Sequence, residues 1–106
     1  MNKAIFILED NFDWDEYEKK VYKNIINISD PVEVIWDLRK LTKIPSFYII
    51  KKQIELLRNE KTLIIKNIIK NTLLVSSEFN RDFVKWVFKY IYSPKNPTEI
   101  IIKLNE

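Results

Sequence analysis

The chain has 106 residues, a formal net charge of +3 and a composition that is 46% hydrophobic and 31% charged. These values are typical of one globular domain spanning residues 1–106. The chain contains no Cys, His or Gly, which excludes zinc fingers, His-dependent catalytic triads, disulfide frameworks and glycine-rich phosphate loops. Because most enzyme classes are thereby excluded, the sequence predicts a protein without catalytic residues, metal or cofactor.

The first part of the chain predicts a strand, a helix and a second strand. Residues 3–8 form a short Ile-rich run typical of a buried strand, and Asn11 or Asp13 can cap the helix that follows. The apolar residues of this helix recur every three or four positions: Trp14, Tyr17, Val21, Ile25 and Ile28. A proline at position 31 ends the helix, and residues 32–38 predict the second strand. Its side chains on one side are apolar: Val32, Val34, Trp36 and Leu38.

The middle of the chain predicts a loop, one or two helices and a third strand. Residues 39–45 form the loop, and Ser46 can cap the next helix. The apolar face expected for this helix consists of four residues: Phe47, Ile50, Ile54 and Leu57. Residues 62–70 predict a short further helix, with a strand over residues 63–65 as the alternative. The third strand is expected over residues 72–76.

The end of the chain predicts a last helix and a last strand. Ser77 or Asn80 can cap the helix, whose inward face is expected to hold four large side chains: Phe83, Trp86, Val87 and Tyr90. Two prolines within residues 93–97 end it, and residues 98–103 predict the strand. Strands separated by helices need crossover connections and a mainly parallel sheet. The fold class is therefore α/β, in the order βαβα(α)βαβ, with four strands of which one at an edge is antiparallel or weakly paired.

The sequence also indicates where the protein acts. Its first ten residues contain only five consecutive apolar residues, so they predict neither a signal peptide nor a membrane span, and no other stretch approaches 18 apolar residues. We therefore expect a soluble, intracellular and by default cytoplasmic protein. Ile, Lys and Asn fill 43 positions, which is typical of the AT-rich genomes of parasites, mycoplasma-like bacteria and large DNA viruses.

Acidic side chains gather where the first strand passes into the first helix. The cluster comprises Asp10, Asp13, Asp15 and Glu16. Carboxylates at the end of a strand can hold Mg²⁺, but these residues also occupy the positions of helix caps and of a first helical turn. We favour the capping interpretation. Asp37, at the end of the second strand, is expected either to pin the following loop through its backbone amides or to belong to a functional site.

The aromatic and basic residues allow a second hypothesis. Tryptophans interleaved with lysines can form a base-stacking surface, but Trp14, Trp36 and Trp86 lie at apolar positions and favour core packing. A basic face for nucleic acid or anionic lipid would need several helices to lie side by side. Its residues would be Lys51, Lys52, Lys66, Lys70, Lys85, Lys89 and Lys95. The densest polar and basic segment is the loop that holds Arg39, Lys40, Thr42, Lys43 and Ser46.

Residues 37–48, with the strand before them and the helix after them, resemble the centre of STAS domains, the fold of anti-sigma factor antagonists. In that family a strand ending in Asp-Leu is followed by an aliphatic residue, Thr or Ser, Ile or Met, and then Asp-Ser-Ser/Thr-Gly at the start of a helix. The matching positions are Asp37, Leu38, Leu41, Thr42, Ile44 and Ser46. Pro45, Phe47 and Tyr48 replace the family's Asp, its phosphorylatable residue and its Gly. The order of elements equally resembles the SpoIIAA-like group, which shares this fold without the phosphoswitch.

The resemblance implies a small interaction or regulatory module with no kinase-driven switch at Phe47. Its loop would contact an unknown protein partner through Asp37, Arg39, Lys40, Thr42, Lys43 and Ser46. Ser46 or Thr42 could serve as a substitute phosphorylation site, but we favour a plain helix cap as the role of Ser46. The alternative function is binding of an anionic ligand, nucleic acid or a lipid headgroup, by the lysine face.

Overall fold

The computed structural model describes residues 2–43, 45–76, 78–90 and 96–102. Strands and helices alternate along this part of the chain. The strands are β1 (Asn2–Glu9), β2 (Val32–Lys40), β3 (Ile68–Val75) and β4 (Thr98–Ile102). The helices are α1 (Trp14–Val21), α2 (Phe47–Asn59), α3 (Lys61–Asn67) and α4 (Glu78–Tyr90). A π-helical turn, Tyr22–Ile26, directly continues α1.

The strands form one sheet in the order β1-β2-β3-β4, and every neighbouring pair is parallel. This arrangement confirms the predicted α/β class and the four-stranded sheet. The expectation of an antiparallel or weakly paired edge strand is wrong, because β4 pairs in parallel with β3 along its whole length. Each crossover helix returns the chain to the same end of the sheet, so every strand starts there.

All the helices pack against one face of the sheet, which we call the helical face. Strand order follows chain order, and right-handed crossovers that always step in one direction place every helix on the same side. In the larger core cluster, Phe6 and Val34 of the sheet are grouped with buried residues of α1, its π-helical turn, α2 and α3: Tyr17, Val21, Ile25, Leu56 and Ile64. In the smaller cluster, Val84 of α4 packs on Leu73 and Val75.

Two predicted helix caps are confirmed by their hydrogen bonds. Asp13 accepts a bond from the backbone amide of Asp15 at 2.8 Å, and it begins α1. Ser46 accepts a bond from the backbone amide of Ile49 at 3.3 Å, and it begins α2. The alternative cap Ser77 lies outside the described residues. These bonds satisfy amides that the first turn of a helix leaves without a partner.

The boundary between α3 and β3 corrects the sequence prediction. Helix α3 covers residues 63–65, so the alternative strand there is wrong, and β3 begins at Ile68 instead of residue 72. Ile68 already has extended backbone angles and pairs with Val32 of β2. The pair Ile64 and Ile65 lies in α3, whereas the pair Ile68 and Ile69 lies in β3. Their spacing of four residues fits a single helix, and for this reason the predicted helix was too long.

Two aromatic residues that we expected in the core are exposed. Phe47 is 77% exposed because α2 buries another stripe, centred on Ile49, Leu56 and Leu57. Trp86 is half exposed because α4 contacts the sheet through Val84, and two residues along a helix correspond to a turn of about 200°. Phe83 stacks on Trp86, with ring centres 6.5 Å apart. Positions 87 and 90, also predicted to face inward, lie within α4, but the structure describes only their backbone.

Candidate functional site

Asp37 and Arg39 form the most tightly bonded pair of the predicted site. One carboxylate oxygen of Asp37 accepts bonds from the backbone amide and Nε of Arg39, at 3.1 and 2.9 Å. The other accepts a bond from Nη2 at 2.8 Å. Arg39 thereby holds the pKa of the Asp37 carboxyl below its usual range. Because Asp37 is only 7% exposed, it acts mainly by orienting Arg39 and the start of the loop, as the pinning interpretation predicted.

A second carboxylate, Asp10, holds the loop after β2. It accepts bonds from the backbone amide of Thr42, at 3.0 Å, and from the Thr42 hydroxyl. These bonds lower the pKa of the Asp10 carboxyl. The sequence places Asp10 in an acidic cluster and Thr42 in a loop, and gives no signal that they meet across 31 intervening residues. The contact depends on β1 and β2 being neighbours in parallel.

The remaining members of the predicted site lie along the same loop. Lys40 is exposed and lies 3.4 Å from the carboxylate of Glu9. Lys43 is exposed, and Ser46 is used as the cap of α2. The structure therefore places Asp37, Arg39, Lys40, Thr42 and Lys43 at the carboxyl ends of β1 and β2, with Ser46 at the start of the next helix.

The acidic cluster at the start of α1 does not converge. Asp13 is a cap, Asp10 is bonded to Thr42, and Asp15 and Glu16 are exposed in the first turn of the helix. Within the described ranges, no three His, Cys, Asp or Glu side chains are grouped in a way that could hold a metal ion. The carboxylates here stabilise the helix end and the loop.

Two lysines of the predicted basic face, Lys52 and Lys70, make contacts within the chain. Lys52 lies over the ring of Tyr48, with Nζ 4.7 Å from the ring centre, and 5.9 Å from that of Trp14. Lys70 pairs with Glu99 at 2.7 Å, while Lys95 lies outside the described residues. Binding of nucleic acid or anionic lipid therefore stays a prediction from the sequence.

The opposite side of the sheet, which we call the open face, has a different character. Residues directly opposite each other on neighbouring strands share a face, so the strand pairing defines three rows across it. They are Lys3–Glu33–Lys70, Ile5–Ile35–Thr72–Glu99 and Ile7–Asp37–Leu74–Ile101. Ile5 is 50% and Ile7 is 51% exposed. None of the apolar residues in these rows belongs to either core cluster of the described structure.

The helical face carries an apolar cavity of about 220 Å³ between the sheet and α2. Trp36, which lines this cavity, lies on the predicted side of β2 but is only partly buried.

Comparison with protein-family models, with curated proteins and with solved structures finds no significant match to this chain. The resemblance to STAS domains accordingly stays a prediction, carried by the residues quoted above. Among the described residues, no helix combines the length and the apolar character needed to cross a lipid bilayer.

Proposed function

We propose that the protein is a non-enzymatic interaction module that binds a partner protein on the open face of its sheet. The observation that carries the proposal is the exposure of Ile5 and Ile7 in an all-parallel sheet. Parallel sheets are normally covered on both faces, because their strands are apolar on both sides. Strand β1 has apolar residues on both of its sides. In the described structure, helices cover only the side that carries Phe6.

The open face has the composition of a protein interface. Its apolar residues lie between charged residues of both signs, with Lys3, Glu33 and Lys70 at one end and Asp37 with Arg39 near the other. Interfaces commonly combine an apolar centre with a polar rim. Arg39 is suited to recognition because its guanidinium is held in place by Asp37, and oriented arginines contribute strongly to protein contacts.

The loop at the carboxyl end of this face extends the proposed surface. Lys40 and Lys43 are exposed on it, and Phe47 and Tyr48 present two exposed aromatic rings at the start of α2. Thr42 and Ser46 fix the shape of the loop through their bonds to Asp10 and to the first turn of the helix. All six residues of the predicted partner site thus either contact the partner or position those that do.

This proposal agrees with the resemblance to STAS domains, which implies a small interaction module. Phe47 stands where those domains carry the phosphorylatable residue, so we expect no kinase-driven switch at that position. The three carboxylates nearest the loop after β2 hold local structure: Asp37 and Asp10 bond to loop residues, and Asp13 is a helix cap. Binding is the function that these contacts support.

The proposal is tested by placing a charge on the open face. Ile7→Lys and Ile5→Lys should leave the fold intact, since both residues are half exposed, but should disrupt an apolar contact. The matched control is Leu63→Lys, which changes an exposed apolar residue of α3. Wild type and the three variants are immobilised and used to capture proteins from cells of the source organism, followed by quantitative mass spectrometry.

The expected result is a partner that wild type and Leu63→Lys retain and that both open-face variants lose at least tenfold. Urea unfolding of each variant confirms that the comparison is between folded proteins. A partner retained equally by all four proteins would place the contact elsewhere, and the open face would not be the binding surface.

A further inference from the structure

The charged residues at one end of the open face alternate in sign from one edge of the sheet to the other. Lys3, Glu33 and Lys70 lie directly opposite one another on β1, β2 and β3. Glu99 of β4 extends this row, because its carboxylate lies 2.7 Å from the Lys70 ammonium. The order of charges is therefore positive, negative, positive, negative. The same row read from the opposite edge has the inverse order, so the row is complementary to a copy of itself that is turned around.

Apolar residues fill most of the open face beside this charged row. They are Ile5, Ile7, Ile35, Leu74 and Ile101. Near the carboxyl end of β2, the charges of Asp37 and Arg39 are already paired within the chain, 2.8 Å apart. A second copy of this face could therefore cover it and bury apolar surface without placing an unpaired charge at the centre of the contact.

We propose that two copies of the chain associate through their open faces, about a two-fold axis that runs parallel to the strands between β2 and β3. This inference rests on the proposed function, because it names the partner that the open face binds. Packed sheets lie about 10 Å apart, with their strands within about 30° of one another, and this axis produces such a pairing. Because the strand order is β1-β2-β3-β4, each β2 then faces β3 of the other copy, and each β1 faces its β4.

This axis sets every charge of the row against an opposite charge. Glu33 faces Lys70 of the second copy, and Lys3 faces the Glu99 carboxylate of the second copy. Two-fold symmetry makes each of these contacts occur twice. Complementary charges at the rim of a contact contribute mainly to its specificity and its register, while the apolar residues supply the buried surface.

The alternative two-fold axis, perpendicular to the strands, fits the open face less well. It would bring the charged row of one copy over the row Ile7–Asp37–Leu74–Ile101 of the other. Lys3 would then face Ile7, Lys70 would face Leu74, and the carboxylate of Glu33 would face that of Asp37. Ammonium groups against apolar neighbours and two carboxylates against each other are both unfavourable. The charges therefore favour the axis parallel to the strands.

Sedimentation equilibrium of the full chain tests the association directly. Wild type is measured from about 1 µM to about 1 mM, a range that covers weak and moderate affinities, and we expect a monomer–dimer equilibrium within it. Ile7→Lys should weaken the dimer at least tenfold, because it places two charges in the apolar part of the contact. The matched control Leu63→Lys, on α3, should dimerise as wild type does.

A pair of charge reversals tests the two-fold arrangement itself. Glu33→Lys places like charges at both contacts with Lys70, and so does Lys70→Glu at both contacts with Glu33. Each variant alone should therefore dimerise at least tenfold more weakly than wild type. An equimolar mixture of the two variants restores opposite charges at both contacts and should form a heterodimer with nearly the Kd of wild type. The matched controls Glu55→Lys and Lys66→Glu, at exposed positions of α2 and α3, should dimerise as wild type does, alone or mixed.

The inference is overturned if wild type stays monomeric up to about 1 mM. Dimerisation that Ile7→Lys leaves unchanged would also overturn it, and so would a mixture of the charge variants that associates no more tightly than either variant alone. The charge variants keep the test decisive if urea unfolding shows that Ile7→Lys does not fold. The proposed function fails separately. A monomeric wild type that captures a different protein, and loses it in Ile7→Lys, would keep the open face as a binding surface and exclude the second copy as its partner.

Discussion

The indole nitrogen of Trp36 donates a hydrogen bond to the side-chain oxygen of Asn71, 3.0 Å away on the neighbouring strand. On the neighbouring strand β1, the ring of Phe6 stacks on the Trp36 indole, with ring centres 4.8 Å apart. Trp36 therefore connects three adjacent strands on the helical face. Because Asn71 is buried, its oxygen has no water to replace the indole if the bond is lost.

Two substitutions of Trp36 should distinguish how much its packing and its hydrogen bond each contribute to the free energy of unfolding. We expect Trp36→Ala to lower the free energy of unfolding by about 3–5 kcal/mol, the range for large aromatic residues in cores. Trp36→Phe keeps a ring against Phe6 but leaves the Asn71 oxygen without a donor, and should cost about 1–3 kcal/mol. Urea unfolding measures both. The control Trp86→Phe, at a half-exposed position, should change stability by less than about 0.5 kcal/mol.

The charge of Asp37 should stabilise the fold. Asp37→Asn keeps the shape of the side chain but weakens its bonds to the guanidinium and backbone amide of Arg39, so we expect a loss of about 1–3 kcal/mol in urea unfolding. Asp30→Asn, in the exposed turn before β2, is the matched control and should be neutral. Equal stability of the two variants would show that the Asp37–Arg39 pair does not hold the loop.

The Asp37 carboxyl should also make the stability of the fold depend on pH in the acid range. Arg39 holds the pKa of Asp37 below its ordinary value of 3.8 in the folded state. The folded state then binds fewer protons than the unfolded state, so this contribution is present above pH 3.8 and decreases as the pH falls through the lower folded value. Asp10 acts in the same direction through Thr42. Urea unfolding between pH 6 and pH 2 should show a smaller loss of stability for Asp37→Asn than for wild type.

Local patterns were enough to predict the order of the elements and two helix caps. The helical spacing from Trp14 to Ile25 and the side-chain oxygens of Asp13 and Ser46 act within a few residues, so they are visible in the sequence. The sequence did not show which face of α2 and of α4 turns toward the sheet. Phe47 and Trp86 have the right spacing for a buried face, but which stripe is buried depends on how the helix is placed over the sheet.

Contacts between distant segments explain the rest of what the sequence could not predict. The bond from Thr42 to Asp10 and the cavity beneath α2 both arise from elements far apart in the chain. The open face was also missed, because Ile5 and Ile7 form part of an apolar run that predicts burial on both sides. Only the stepwise strand order, which puts every helix on one side, leaves these two residues half exposed.

Asn67 joins two helical segments that are far apart in the sequence. Its side-chain amide donates to the backbone carbonyl oxygens of Ile25, at 2.8 Å, and Ile26, at 3.1 Å. Those carbonyls belong to the π-helical turn after α1, where the last turn of a helix leaves oxygens without an intrahelical partner. Asn67 is buried, so these bonds are shielded from water.

Asn67→Ala should leave both carbonyl oxygens without that donor and lower the free energy of unfolding by about 2–4 kcal/mol in urea. The control Asn59→Ala, at an exposed position of α2, should cost less than about 0.5 kcal/mol. Asn67→Asp has nearly the same shape but presents a carboxylate to two carbonyl oxygens. Burial without a donor should raise the pKa of that carboxyl in the folded state, so the variant should lose stability as the pH rises from 4 to 7. An Asn67→Asp protein with the pH dependence of wild type would show that the two carbonyl bonds do not hold the turn.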